Sequence, residues 1–128
     1  MSNSPVLREF AFCVLGSPIP KARARKGCSG VWYTPQSTVR YEGAVRMVAA
    51  CARPASWSLT GRYSVTVHCY FGDARHRDLD NVLKSVCDAL NGVAWADDSQ
   101  VDVVSAQRQI DRDNTRTAVT ISRLDGGA

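Results

Sequence analysis

Apolar and polar residues alternate without a break from Tyr63 to Phe71. Tyr63, Val65, Val67, Cys69 and Phe71 fall on one side, and Ser64, Thr66, His68 and Tyr70 on the other. A period of two predicts a strand with one buried face. The apolar run at residues 10–15 predicts an earlier strand, stopped by Gly16-Ser-Pro-Ile-Pro20, whose prolines cannot donate to a sheet ladder. Residues 30–34 predict a short strand, and Thr34-Pro35 then reads as an N-cap followed by proline at the first helical position. From there to about Ala52 the spacing is helical: Tyr41, Ala44, Val45, Val48 and Ala52 share a face, and Pro54 closes the helix. A second helix is predicted over residues 79–91, with Leu79, Leu83, Val86, Cys87 and Leu90 as its apolar stripe and Gly92 as its terminator. Residues 101–110 and 115–124 predict two last strands, joined as a terminal hairpin by the polar turn 111–114. Helices and strands mixed in this way imply one α+β domain over residues 1–128, with helices packed on an antiparallel or mixed sheet. Residues 1–5 and 125–128 are expected to be disordered tails.

The 128 residues, 45% of them hydrophobic, suit one core rather than two. No apolar run approaches the roughly 18–20 residues of a membrane span, and no secretory signal opens the chain, so a cytoplasmic protein is expected. Five cysteines without a C-x-x-C argue against a zinc site or a disulfide framework. Cys13, Cys69 and Cys87 lie in apolar segments and are expected in the core. The net charge of +4 permits a nucleic-acid partner without requiring one. Its distribution says more: residues 1–77 hold eleven Lys and Arg against three Asp and Glu, whereas residues 78–128 hold five against nine. The most basic segment is the loop Lys21-Ala-Arg-Ala-Arg-Lys26, a candidate phosphate clamp.

The acidic half concentrates its carboxylates. In Arg77-Asp-Leu-Asp-Asn-Val-Leu-Lys84, Asp78 and Asp80 flank the start of the second helix, and Lys84 lies one turn beyond Asp80 on the same face. The loop Trp95-Ala-Asp-Asp-Ser-Gln100 adds Asp97 and Asp98, which a helix-to-strand return is expected to bring back toward Asp78 and Asp80. Gathered carboxylates repel one another, and a hard divalent cation with oxygen ligands relieves that repulsion; Mg²⁺ suits the description. Such an ion polarises a phosphodiester and lowers the pKa of a bound water, and a nearby lysine steadies charge developing on the phosphate. The basic loops then have a task, because an acidic centre cannot itself attract a polyanion. The same residues also admit plainer roles. An aspartate at a helix start caps it, Asp80 and Lys84 at i, i+4 form a common surface pair, and Asp97-Asp98 suits a turn. His68 and His76 fit structural or phosphate-contacting roles, and Trp32 and Trp95 fit core or loop anchors better than base-stacking platforms.

At these residues the chain resembles the RusA family of Holliday-junction resolvases. The resemblance rests on Arg77 to Lys84, on Asp88-Ala-Leu-Asn-Gly92, on Asp97-Asp-Ser-Gln-Val101 and on Gly16-Ser-Pro-Ile-Pro-Lys-Ala-Arg-Ala-Arg25, and it spans about residues 10–122. It implies a homodimeric endonuclease of bacteria or their prophages that resolves four-way DNA junctions by paired nicking in recombination and repair. It also implies Mg²⁺, or Mn²⁺ in its place, and no small-molecule cofactor. By the same likeness Asp78, Asp80 and Asp98 match the metal-binding catalytic carboxylates, Asp97 the neighbouring acid and Lys84 the essential lysine. Arg77 matches a basic residue beside the site. Lys21, Arg23, Arg25, Lys26, Arg75 and Arg77 are the expected DNA contacts. Ala24 stands where members often have proline, and the basic run before the motif is broken into Asp73-Ala-Arg-His-Arg77. The alternatives are a catalytically inactive, structure-selective DNA-binding protein, or a metal-dependent nuclease acting on other branched DNA.

Overall fold

The computed structural model describes residues 8–124, so both expected tails lie outside the described residues. Six strands and two helices follow in order: β1 (Glu9–Leu15), β2 (Arg25–Lys26), β3 (Trp32–Tyr33), α1 (Gln36–Ala52), β4 (Tyr63–Phe71), α2 (Leu79–Leu90), β5 (Val101–Ile110) and β6 (Arg116–Arg123). A single 3₁₀ turn, Asp98–Gln100, precedes β5. The main sheet has the order β1-β6-β4-β5, and β2 pairs with β3 in a small separate ladder. This is the α+β arrangement that the mixed periodicities imply.

One connection differs from expectation. β5 and β6 do not form a hairpin; β6 runs antiparallel to both β1 and β4, while β5 lies outside β4 and parallel to it. The link 111–115 therefore steps across the end of β4, where the Asp111 N–H donates to the Phe71 carbonyl at 2.8 Å. The cause lies upstream: β4, α2 and β5 form a βαβ unit, whose crossover helix returns the chain to start a parallel strand. β6 then pairs along β4's other edge, which leaves β5 at the edge of the sheet.

The core lies between the sheet and the helices. Every second residue of β4 is buried, as are Phe10, Phe12 and Val14 of β1 and Val119 and Ile121 of β6. Cys69 and Cys87 are buried, but Cys13 is exposed. Cys13 alternates with Phe12 and Val14, so strand geometry turns it to the uncovered face whatever its own polarity. α1 begins one residue later than expected, with Pro35 as its N-cap and no side-chain cap bond. It buries Thr38, Tyr41, Val45 and Ala49, and Ala52 of the expected stripe is exposed because the last turn runs past the core.

α2 is rotated relative to its expected stripe. Val82, Ser85, Val86, Cys87, Ala89 and Leu90 are buried, whereas Leu79 and Leu83 are only half-buried. α2 touches α1 as well as the sheet, and small side chains at 85 and 89 suit the close side of that contact. Arg46 Nε of α1 reaches the Ala89 carbonyl at 3.1 Å, and Ser85 Oγ donates to the Ile19 carbonyl at 3.1 Å. The rotation turns Asp80 and Lys84 further from the core, and both are exposed. Among the described residues no helix is long and apolar enough to cross a membrane.

Candidate active site

The first turn of α2 is built by Asp78. Its Oδ1 accepts the Asp80 N–H at 3.0 Å and its Oδ2 accepts Asn81 Nδ2 at 3.2 Å, so this carboxylate caps the helix. Each oxygen retains acceptor capacity beyond these bonds. Asp80 projects from the same turn as an exposed carboxylate without a side-chain hydrogen bond among the described residues. No ion pair joins it to Lys84, so the two are neighbours on a helix face and not a closed surface pair.

The basic loop comes to this helix end. The Lys21 N–H donates to the Asn81 carbonyl at 2.8 Å, and an open groove of about 520 Å³ is lined by Lys21, Ala22, Arg23, Ala24, Asp78, Asn81 and Lys84. Carboxylate, lysine and arginine thus share one concavity although 57 positions separate Lys21 from Asp78 in the chain. Asn81 had no role in the sequence reading, yet it bonds the cap through its side chain and the basic loop through its backbone. Its place directly after Asp80 in the motif was the available signal.

The six expected DNA contacts are placed differently from one another. Arg23, Arg25 and Lys26 are exposed. Lys21 is engaged inside the protein, its ammonium paired with Glu42 of α1 and, at 3.3 Å, with Asp88 of α2. Burial alone would lower the pKa of Lys21, but its bonds to Glu42 and Asp88 outweigh that and raise it. Lys21 therefore anchors the loop to both helices. Lys21→Met is expected to cost about 1–2 kcal/mol, because Glu42 and Asp88 lose their shared cation; urea unfolding measures it, and unchanged stability would show that the loop is held by its backbone alone. Arg77 stacks 4.6 Å over the Phe71 ring and donates to Asp73 Oδ1 at 2.7 Å, which holds the Asp73 carboxyl below its usual range. The exposed Arg75 gives its backbone N–H to the same carboxylate. His68 bonds Gln107 at 2.7 Å on the open face of the sheet, and His76 is exposed in the loop before α2.

The expected return of Asp97 and Asp98 to Asp78 and Asp80 does not occur within one chain. Asp97 caps the 3₁₀ turn, with its Oδ2 accepting the Ser99 N–H at 3.0 Å, and this bond holds its carboxyl below the usual range. Gln100 fixes the turn by accepting the Asp97 N–H at 2.9 Å and donating to the Leu59 and Gly61 carbonyls at 2.8 and 2.9 Å. Leu59 and Gly61 precede β4, whereas Asp78 follows it, so the turn lies at the opposite end of a nine-residue strand, roughly 26 Å long. Asp98 is instead near the last turns of α2: burial first, then the charges of Asp98 and Asp88, push the Cys87 thiol up to about 12. Among the described residues no group of three His, Cys, Asp or Glu side chains is placed to hold a metal ion. The oxygen donors suit Mg²⁺ in kind, and one chain divides them between the two ends of α2.

The family described as endodeoxyribonuclease RusA matches residues 15–122. The chain belongs to the RusA family of endodeoxyribonucleases. The matched stretch takes in the basic loop, both helices, the Asp78–Lys84 motif and the Asp97–Asp98 turn. RusA proteins are nucleases, so the groove that joins Arg23, Asp78 and Lys84 lies within a DNA-hydrolysing domain. A comparison with curated proteins returns no match.

Proposed function

We propose that this RusA-family chain cuts four-way DNA junctions as a Mg²⁺- or Mn²⁺-dependent homodimer, nicking paired strands in recombination or repair. The observation that carries the reading is the meeting of Arg23, Asp78 and Lys84 in one groove at the start of α2. Asp78 and Asp80, with Asp98 and Asp97, would hold the cation. When bound it would polarise the scissile phosphate and acidify the attacking water. Lys84 steadies charge on the phosphate oxygens, and Arg23 with Arg25 and Lys26 holds the backbone in register.

The division of carboxylates within one chain is what makes two copies necessary in this reading. β5 is an edge strand of ten residues with Val103 and Val104 half-exposed, a form that invites pairing with another strand. Two β5 strands paired antiparallel about Ser105 would bring each Asp102 across from Arg108 of the partner subunit, twice by symmetry. Because the strands oppose, Asp98 of the partner subunit would arrive at the end of the sheet that carries Asp78 and Asp80. Val104→Asp, at an exposed position, is expected to leave the circular dichroism unchanged, halve the mass in sedimentation and remove cleavage. A variant that stays dimeric would exclude this edge as the interface.

A synthetic mobile four-way junction, incubated with the protein and Mg²⁺ beside duplex, single-stranded and RNA controls, tests the activity. Symmetric paired nicks confined to the junction are expected. Equal cutting of all DNA forms would leave a nuclease without junction preference, and binding without cutting would mark an inactive junction-binding protein.

A further inference from the structure

Trp57 and Trp95 are buried, at 8% and 0% exposure, but Trp32 is 65% exposed and its neighbour Tyr33 is 49% exposed. Both form β3, within the short strand expected over residues 30–34, but the exposure of Trp32 departs from the expectation that it anchors a loop or the core. Their partners in the ladder are cations: Arg25 lies opposite Tyr33 and Lys26 opposite Trp32. Directly paired residues of antiparallel strands share a face, so each face of the hairpin presents one aromatic ring beside one positive charge. Among the described residues neither ring is in a cation–π contact within the protein.

The hairpin is held in shape by its own backbone. The Gly27 N–H donates to the Val31 carbonyl at 2.8 Å, the Gly30 N–H to the Gly27 carbonyl at 3.0 Å, and Gly30 takes φ +83°, a conformation other residues rarely adopt. The segment 21–24 that leads into it lines the groove with Asp78 and Lys84. No acid occurs between Glu9 and Glu42, while that interval holds Lys21, Arg23, Arg25, Lys26 and Arg40.

We propose that the β2–β3 hairpin is a binding site for unpaired nucleotides, with bases stacking on Trp32 and Tyr33 and phosphates held by Arg25 and Lys26. The inference deepens the nuclease reading and rests on it for the identity of the polyanion. Large exposed rings favour a partner that offers flat apolar faces, and the surrounding cations favour one that is a polyanion; nucleic acid is both. Bases in a duplex are already stacked on one another, so their faces are open only at branch points, ends and single strands. The hairpin would then recognise what distinguishes a junction from linear DNA, beside the groove that binds the backbone.

Binding of a fluorescent single-stranded oligonucleotide and of a four-way junction, without divalent metal, tests this apart from cleavage. Trp32→Ala is expected to weaken both by about tenfold while changing duplex binding less than twofold, and Trp32→Phe should recover most of the loss. Arg25→Ala with Lys26→Ala should weaken all DNA forms and flatten the salt dependence, since these side chains meet phosphates. In the native protein, Trp32 alone is open to an aqueous quencher, and bound oligonucleotide should shield it. Unchanged affinity in Trp32→Ala overturns the site even if the junction is cut normally, whereas cleavage failing with the Trp32 effect intact would overturn only the nuclease reading. Tight binding of wild type to anionic vesicles, lost in Trp32→Ala without an effect on DNA, would assign the hairpin to a membrane and refute the proposal. Loss of the dimer in Trp32→Ala, with DNA binding by the monomer unchanged, would likewise refute it.

Discussion

Asp80→Asn is expected to lower junction cleavage by at least about 100-fold while leaving junction binding and thermal stability nearly unchanged. The expectation follows from how the first turn of α2 divides its work. Asp78 caps the helix through both carboxylate oxygens, so changing it would mix a folding defect with a chemical one. Asp80 contributes only its backbone N–H to that cap, and its side chain is exposed. Asparagine keeps the shape and removes the charge, which a divalent cation needs and a DNA backbone does not. Binding should therefore be retained or slightly strengthened, as one repulsive charge near the phosphates disappears. Cleavage is read with a labelled junction under single-turnover conditions and binding by gel shift without metal. Normal cutting by the variant would remove Asp80 from the chemistry and leave it a solvated residue on a helix face.

Trp95→Ala is expected to cost about 3–5 kcal/mol, a large share of the stability of a domain this size. Trp95 is fully buried, its ring lies 5.8 Å from that of Tyr63, and its Nε1–H donates to Asn91 Oδ1 at 2.9 Å. Truncation would open a cavity beneath the sheet and leave the Asn91 oxygen without its donor. The loss would also reach the candidate site, because Trp95 stands between the end of α2 and the turn bearing Asp97 and Asp98. Thermal unfolding followed by circular dichroism should show a fall of roughly 10–20 °C. A fall of only a few degrees would mean that neighbouring side chains collapse into the space, and that Trp95 does not hold the turn.

Local physics was legible along the chain where one period dominates. The alternation at 63–71 defines β4, and the arrest of both helices at Pro54 and Gly92 needs no tertiary information, since one residue lacks an N–H and the other takes φ +84°. The common location of Asp78, Asp80 and Lys84 was legible for a similar reason: they lie within two helical turns, so the helix itself sets it.

What the sequence could not decide depends on which surfaces meet. Cys13 and Ala52 are apolar in apolar segments, and only the position of the helices over one face of the sheet leaves them exposed. Trp32 has the composition of an anchor, but the described residues leave it 65% exposed. The expected terminal hairpin gave way to β6 between β1 and β4, because strand order is a long-range choice that local turn chemistry does not govern. The same choice separated Asp98 from Asp78 and Asp80, since a parallel β5 must begin at the end of β4 that α2 returns to. By itself the sequence determined both helices, the four long strands, the acidic helix start and the basic segment, all consequences of near neighbours along the chain, whereas Arg25–Lys26, read as part of a loop, form a strand only by pairing with β3. The tertiary structure alone decided that the basic loop docks on the acidic helix and that the remaining carboxylates lie a strand's length away, because packing, not spacing, sets distances between elements.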